Sequence, residues 1–147
     1  MKIPKIDISR LLKQLDQFGN DGKRLAVAIT NQTAENISNK ARTRAPVDLG
    51  QLRQSVGNTK ATLEINTSII FANAPHAPYV NWGTGGLVDV EPMFTEIAIL
   101  FKGKGVKKIN LPARPFLTGS YMEEANEYPK RLTSAIDKLT KEYNNKK

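Results

Sequence analysis

One histidine, a few serines and scattered acids are all that this sequence offers for acid–base or nucleophilic chemistry. His76 lies in the proline-rich stretch Ala74-Pro75-His76-Ala77-Pro78, and its notional partners for a relay are Ser55 and Asp48. A hydrolytic triad needs nucleophile, base and orienting acid held within hydrogen-bond reach, and such a trio with no characteristic spacing occurs in almost any chain. Asp48 has a simpler use, since it stands three residues before Gln51, where a side chain can cap a following helical turn. The chain has no cysteine and a single histidine, while Asp89 and Glu91 are too isolated to imply a hard-cation cage. The run Lys102-Gly103-Lys104-Gly105-Val106-Lys107-Lys108 lacks the Gly-x4-Gly-Lys-Ser/Thr order of a phosphate loop. It reads as a mobile basic loop, with a phosphate or an acidic protein surface as the sharper alternative. The expectation is therefore a protein with no catalytic residues, no metal site and no cofactor, and not an enzyme.

Charge is distributed in blocks. Residues 1–60 carry eleven Lys/Arg against five Asp/Glu, residues 61–98 four acids and no base, and residues 99–114 five bases and no acid, within a total of +8. A basic balance attracts nucleic acid or acidic protein surfaces without choosing between them, and alternating blocks of opposite sign also suit self-association. No helix-turn-helix or finger pattern supports sequence-specific DNA reading. No signal peptide and no run of about 18 apolar residues is present, so the expectation is a soluble protein made in the cytoplasm, with no membrane contact. At 147 residues one domain, spanning 1–147, is expected, large enough to fold without disulfide or metal.

The elements that would position these residues follow from periodicity. Ile8, Leu11, Leu12, Leu15 and Phe18 recur at helical spacing, with Asp7 or Ser9 to cap and Gly19-Asn20-Asp21-Gly22 to stop. A longer helix is predicted from Lys23 to Arg44, burying a stripe of Leu25, Ala28, Ile29, Thr33, Ile37 and Ala41 and presenting Arg24, Asn31, Glu35, Asn39 and Arg42 to solvent. Pro46 should end it, and Gly50 suits the positive φ of a tight turn. Period-two alternation then predicts a hairpin, Gln51 to Val56 against Thr62 to Ala72. Gly57-Asn58 would offer a turn, Leu63, Ile65, Ile69 and Phe71 would share one face, and Asn66-Thr67-Ser68 would be an interruption or an alternative turn. Tyr79 and Trp82 are three apart, on one face of a helical turn, where core packing and partner contact are both open readings. Residues 85–108 are expected as a variable assembly loop containing a short helix around Phe94 to Phe101. A strand at Ile109 to Leu111 and an extended Pro112 to Leu117 should follow. The last helix has Tyr121, Met122, Ala125, Tyr128, Leu132, Ala135, Ile136, Leu139 and Tyr143 on its apolar face, should bend or divide at Pro129, and should fray over residues 144–147. The expected class is α+β: a small antiparallel β-sheet packed against the long helix of the N-terminal half and a C-terminal helix, with a long assembly loop.

Three motifs fall in order along this plan. Ala45-Pro46-Val47-Asp48-Leu49-Gly50-Gln51-Leu52-Arg53-Gln54-Ser55 resembles A-P-V-D-T-G-x-L-R-x-S; Ala77-Pro78-Tyr79-Val80-Asn81-Trp82-Gly83-Thr84 resembles Y-A-x-Y-V-E-x-G-T; Ala113-Arg114-Pro115-Phe116-Leu117 matches A-R-P-F-L. Together they resemble the small tail-component or neck family of tailed bacteriophages of the siphophage type. Leu49 stands where that family usually has Thr, and Asn81 where it usually has Glu, which removes a charge that could have paired with Arg53 or Arg114. The resemblance implies a structural virion protein at the head–tail junction or upper tail. It further implies a self-associated ring, six copies being the expected number, between connector or head-closure proteins and tail-terminator or tail-tube proteins, with DNA passing through the lumen without sequence-specific binding. The structural residues it implies are Pro46, Asp48, Gly50, Leu52, Arg53, Tyr79, Trp82, Gly83, Thr84, Arg114, Pro115 and Phe116. Lys102, Lys104, Lys107 and Lys108 are the expected partner-contact loop. The alternative is a basic nucleic-acid-binding protein acting during DNA packaging or passage.

Overall fold

The computed structural model describes residues 1–2, 6–47, 50–84, 90, 92–102 and 112–146, with the backbone alone for residues 11, 14, 17, 101 and 102. A short strand β1 (Ile6–Asp7) leads into helix α1 (Ser9–Gln14), where Asp7 Oδ1 accepts from both the backbone N–H and the hydroxyl of Ser9, at 2.9 and 2.7 Å. A 3-10 turn (Leu15–Phe18) joins α1 to the 26-residue helix α2 (Gly19–Arg44). The predicted stop at 19–22 shrinks to one residue. Gly19 at φ 62 occupies the left-handed region that glycine reaches without steric cost, and the chain turns there and resumes as helix at once. Pro46 ends α2 as expected: Ala45 is extended at φ −60, ψ 136 and still donates its N–H to Ala41.

The predicted stripe on α2 holds in its C-terminal half, where Thr33, Ile37 and Ala41 are buried together with Ala34 and Ser38. In the N-terminal half the buried residues are Gly22, Ala26 and Thr30, while Ala28 is exposed and Leu25 and Ile29 are half-buried. The face expected to be solvated also has structural duties. Asn31 exchanges hydrogen bonds with the backbone of Ala61 (2.9 and 2.8 Å), and the Arg42 guanidinium donates twice to the Val56 carbonyl (3.2 and 3.0 Å).

The predicted first hairpin strand is mostly helix. Residues Gly50–Ser55 form α3, and the strand β2 is only Val56–Asn58. It pairs antiparallel with β4 (Ile70–Ala72), Val56 opposite Ala72, so Gly57-Asn58 lies within the ladder and is not a turn. Gly57 admits the Phe71 ring, which would come within 2.8 Å of a Cβ there. The intervening β3 (Thr67–Ser68) pairs with β1. The expected inward face is the outer one: Ser68, Ile70 and Ala72 are buried, whereas Leu63 and Ile65 are exposed. Alternation gave the period of these residues but not its phase, and a one-residue error in phase inverts every side chain.

Helix α4 (Ala77–Trp82), a 3-10 turn (Pro92–Phe94) and helix α5 (Thr95–Lys102) follow, α5 close to where a short helix was expected. Phe94 and Ala98 are buried, and Phe94 stacks edge to face on Tyr121 with centroids 6.1 Å apart, so the middle of the 85–108 segment is anchored in the core. The expected strand at 109–111 lies outside the described residues. Helix α6 (Thr118–Asn145) is one element of 28 residues that passes through Pro129 undivided and extends into the stretch expected to fray. It runs antiparallel to α2. Tyr143 donates to the Phe18 carbonyl (2.9 Å), Tyr128 and Thr30 share a hydrogen bond (2.8 Å), and Lys40 meets Glu123 (2.9 Å).

The class is α+β, as the sequence indicates, with two separate two-stranded ladders among the described residues in place of one sheet. The main core gathers Ile37, Leu52, Ile70, Trp82, Phe94, Phe116 and Leu117; a second cluster gathers Ile8, Leu12, Leu15, Phe18 and Ala26.

Candidate functional site

The three sequence motifs meet. Ala45 and Leu52 from the first, Ala77 and Trp82 from the second, and Phe116 and Leu117 from the third share the main core, each at most 4% exposed. Burial of these apolar and aromatic groups is what draws three distant segments together.

Helix α4 is the centre of the junction. Pro78 in its first turn needs no backbone partner there, and Gly83 ends the helix at φ 73, ψ −177, a conformation essentially restricted to glycine. Trp82 is 4% exposed and Tyr79 39%, so the two do not share a buried face: Trp82 packs in the core and Tyr79 points largely outward. Thr84, at the exit of α4, is half-buried.

Asn81, 1% exposed, performs the task that the sequence left undefined. Its Oδ1 accepts from the backbone N–H groups of Leu117 and Thr118 at 3.1 and 3.2 Å, and its Nδ2 donates to Thr118 Oγ1 at 3.1 Å. The first N–H groups of a helix have no intrahelical acceptor. Leu117, the residue preceding α6, makes no side-chain cap, so α4 supplies the cap in trans. The acceptor role is one that the carboxylate usual at this position in the resembling family can also fill. One residue earlier, the Val80 carbonyl accepts from Arg114 N–H at 2.9 Å, which docks the third motif along α4.

The arginines divide. Arg53 Nε donates to the Ala45 carbonyl at 3.1 Å and closes the loop after α2. Arg114 is exposed, and its side chain makes no hydrogen bond or ion pair among the described residues; with Arg44, Pro115, Phe116 and Gly119 it lines an open cleft of about 400 Å³. Pro46 is half-buried and Pro115 exposed. Gly50 begins α3 without the positive φ that the sequence suggested there, and open space surrounds it, while the rest of the expected turn, Asp48 and Leu49, lies outside the described residues. Asp48 lies outside the described residues, as do Lys104, Lys107, Lys108 and the side chain of Lys102.

Beside the junction lies a charge cluster that sequence reasoning missed. Glu124, 2% exposed, receives Lys40 Nζ at 2.6 Å and Arg131 Nη1 at 2.5 Å, while its neighbour Glu123 receives Lys40 and Arg44. Burial alone would push the Glu124 carboxyl up, but the hydrogen bonds from Arg131 and Lys40 outweigh it and hold the group below its ordinary range. The same bonds raise Lys40, through Glu124 first and Glu123 second. One signal was available: Glu124 interrupts the apolar series Tyr121, Ala125, Tyr128 on α6, and Lys40 and Arg44 are one turn apart on α2.

Among the described residues no relay forms around His76. Its Nε2 has no hydrogen-bond partner, and Ser55 donates to the Leu52 carbonyl (2.8 Å) inside its own helix. Among the described residues no group of three His, Cys, Asp or Glu could hold a metal ion, and no helix is long and apolar enough to cross a membrane.

Residues 9–83, half of the chain, match the family model described as "Bacteriophage HK97-gp10, putative tail-component". This chain belongs to the HK97-gp10-like family of bacteriophage tail components. The matched span of this family member runs from α1 through the first motif to the end of α4, whereas the third motif and α6 lie beyond it. No curated protein and no solved structure matches the chain. Membership in the family makes the chain a structural component of a phage particle, working among other virion proteins.

Proposed function

We propose that this tail component forms a ring at the head–tail junction or upper tail. There it would join the capsid connector or head-closure proteins to tail-terminator or tail-tube proteins and leave a channel for DNA. Membership in the tail-component family is the observation that carries the reading. The structure supplies physical support: a ring needs a rigid subunit, and α2, α4 and α6 are locked together by a shared core, a helix cap and an ion-pair cluster. Six copies is the expected number. Arg114 and the basic run from Lys102 to Lys108 are proposed to face neighbouring virion proteins. Five of the other bases, Lys23, Lys40, Arg44, Lys130 and Arg131, pair with acids of the same chain, which takes some of the positive charge away from a nucleic-acid-binding role.

Sedimentation of the purified protein over a concentration series, with negative-stain imaging of the largest species, tests this reading. Closed rings with a central opening are expected. A species that never forms rings but binds duplex DNA, with affinity falling steeply as salt rises, would establish the nucleic-acid reading instead.

A further inference from the structure

Two apolar features have no partner among the described residues of this chain. The first is α5. Phe94 and Ala98 fasten it to the main core, while Ile99 and Leu100 are 59% and 77% exposed. Single exposed leucines are ordinary, but an adjacent pair held rigidly on a helix whose other face is buried forms a fixed projection. The second is an open groove of about 670 Å³ between the first half of α2 and the second half of α6. Its floor is Leu25, Ile29, Ala135 and Leu139, all half-buried. Because α5 is anchored in the main core and the groove lies over the second cluster, α5 cannot enter the groove of its own chain.

The charges around the two features are complementary. Antiparallel packing of α2 and α6 puts Lys130 and Arg131 at one end of the groove and Asp21 and Glu142 at the other, with Lys138 between. Helix α5 has Glu96 in its first turn, exposed and without an ion pair among the described residues, and the sequence after α5 is basic for the next dozen residues. An α5 laid with its first turn over Lys138 therefore matches acid to base there. The lengths agree: α5 is about 12 Å long and the groove from Lys130 to Glu142 about 18 Å, at about 1.5 Å per helical residue.

We propose that α5 of one copy seats in the α2–α6 groove of a second copy, with Ile99 and Leu100 on the apolar floor and Glu96 facing Lys138. The projection and the groove are different surfaces of one chain, so the contact is heterologous and repeats from copy to copy, which is the kind of contact a closed ring requires. The inference rests on the ring reading above and specifies its interface.

Cysteine cross-linking tests it directly, because the chain contains no cysteine. Full-length Leu100→Cys and Leu139→Cys chains, mixed at ring-forming concentration and oxidised, are expected to give a disulfide-linked heterodimer. The doubly substituted chain should give a ladder ending at the ring's copy number. Glu96→Lys and Lys138→Glu should each weaken association several-fold, and the two changes in one chain should restore it. If the unsubstituted chain forms rings but Leu100→Cys does not link to Leu139→Cys, or links only to itself, the interface is wrong and the ring reading stands. Cross-linking of Leu139→Cys to a different virion protein in assembled particles, in place of the second copy, would also overturn it. If the unsubstituted chain forms no ring alone or in particles, the ring reading falls and the interface with it.

Discussion

Asn81→Ala is the perturbation that most sharply tests how the motif junction works. The substitution leaves α4 its helix former but removes the acceptor for the Leu117 and Thr118 N–H groups and the donor to Thr118 Oγ1. Loss of an N-cap costs about 0.5–2 kcal/mol, and a buried donor left without an acceptor costs about 1–3 kcal/mol. Two such donors at a site 1% exposed, where water cannot readily substitute, put the loss at about 2–4 kcal/mol. For a chain of this size each kcal/mol moves Tm by about 2–4 °C, so a fall of roughly 5–15 °C is expected. Thermal and denaturant unfolding should be followed by both far-UV circular dichroism and the fluorescence of Trp82, the only tryptophan and the adjacent residue. Coincident transitions would license a two-state reading. Asn81→Asp keeps both acceptor bonds and places negative charge at a helix N-terminus, so it should lose less than half as much. An alanine variant within about 0.5 kcal/mol of the parent, where distant surface substitutions lie, would refute the capping role. So would an aspartate variant as damaged as the alanine one.

The cluster around Glu124 makes stability depend on acid. Its carboxyl is held below the ordinary value of 4.5, so the stabilisation is fully present above pH 4.5 and is lost as the pH falls through the lower folded value. Denaturant midpoints measured between pH 7 and 3 should fall more steeply for the parent than for Glu124→Gln; parallel profiles would contradict this. Trp82→Ala should cost about 3–5 kcal/mol, since the ring is core and not surface; an unchanged melting temperature with lost assembly would place it at an interface instead. The two motif glycines should behave oppositely in chemical denaturation. Gly83→Ala, at φ 73 and ψ −177, should cost about 1–3 kcal/mol. Gly50→Ala, helical and surrounded by open space, should be neutral or stabilising by up to about 1 kcal/mol.

What was legible in the sequence was period and punctuation. The long helices, the small antiparallel β element between them, the stop at Pro46 and the short helix near Phe94 follow from spacing and from what proline forbids. Phase was not legible. Ile65, Ile69 and Phe71 alternate correctly, yet Ser68, Ile70 and Ala72 face inward, because the tertiary ladder with β2, not the hydrophobicity of the strand alone, selects the buried face. Gln51 to Ser55 reads as strand by alternation but folds as helix, a tertiary choice at a short segment where local preference is weak. At the candidate site, Trp82, Leu52 and Phe116 were identifiable as motif residues by resemblance, and all are core. The role of Asn81 was not, because a cap supplied by another helix 36 residues away leaves no local spacing to read. The same holds for Glu124, whose partner Lys40 is 84 positions distant in the chain and visible only once α2 and α6 are laid side by side.

The central claim is that this tail component is built into a ring at the junction of head and tail. Cryo-electron microscopy of purified phage particles carrying a tagged copy of the chain, with the same particles imaged after labelling of the tag, tests it most directly. The account predicts label confined to the neck or upper tail and a closed ring there into which this fold, with α2 and α6 side by side, can be placed. Particles that contain no label, or label placed away from the neck and upper tail with no ring of this fold, would contradict it.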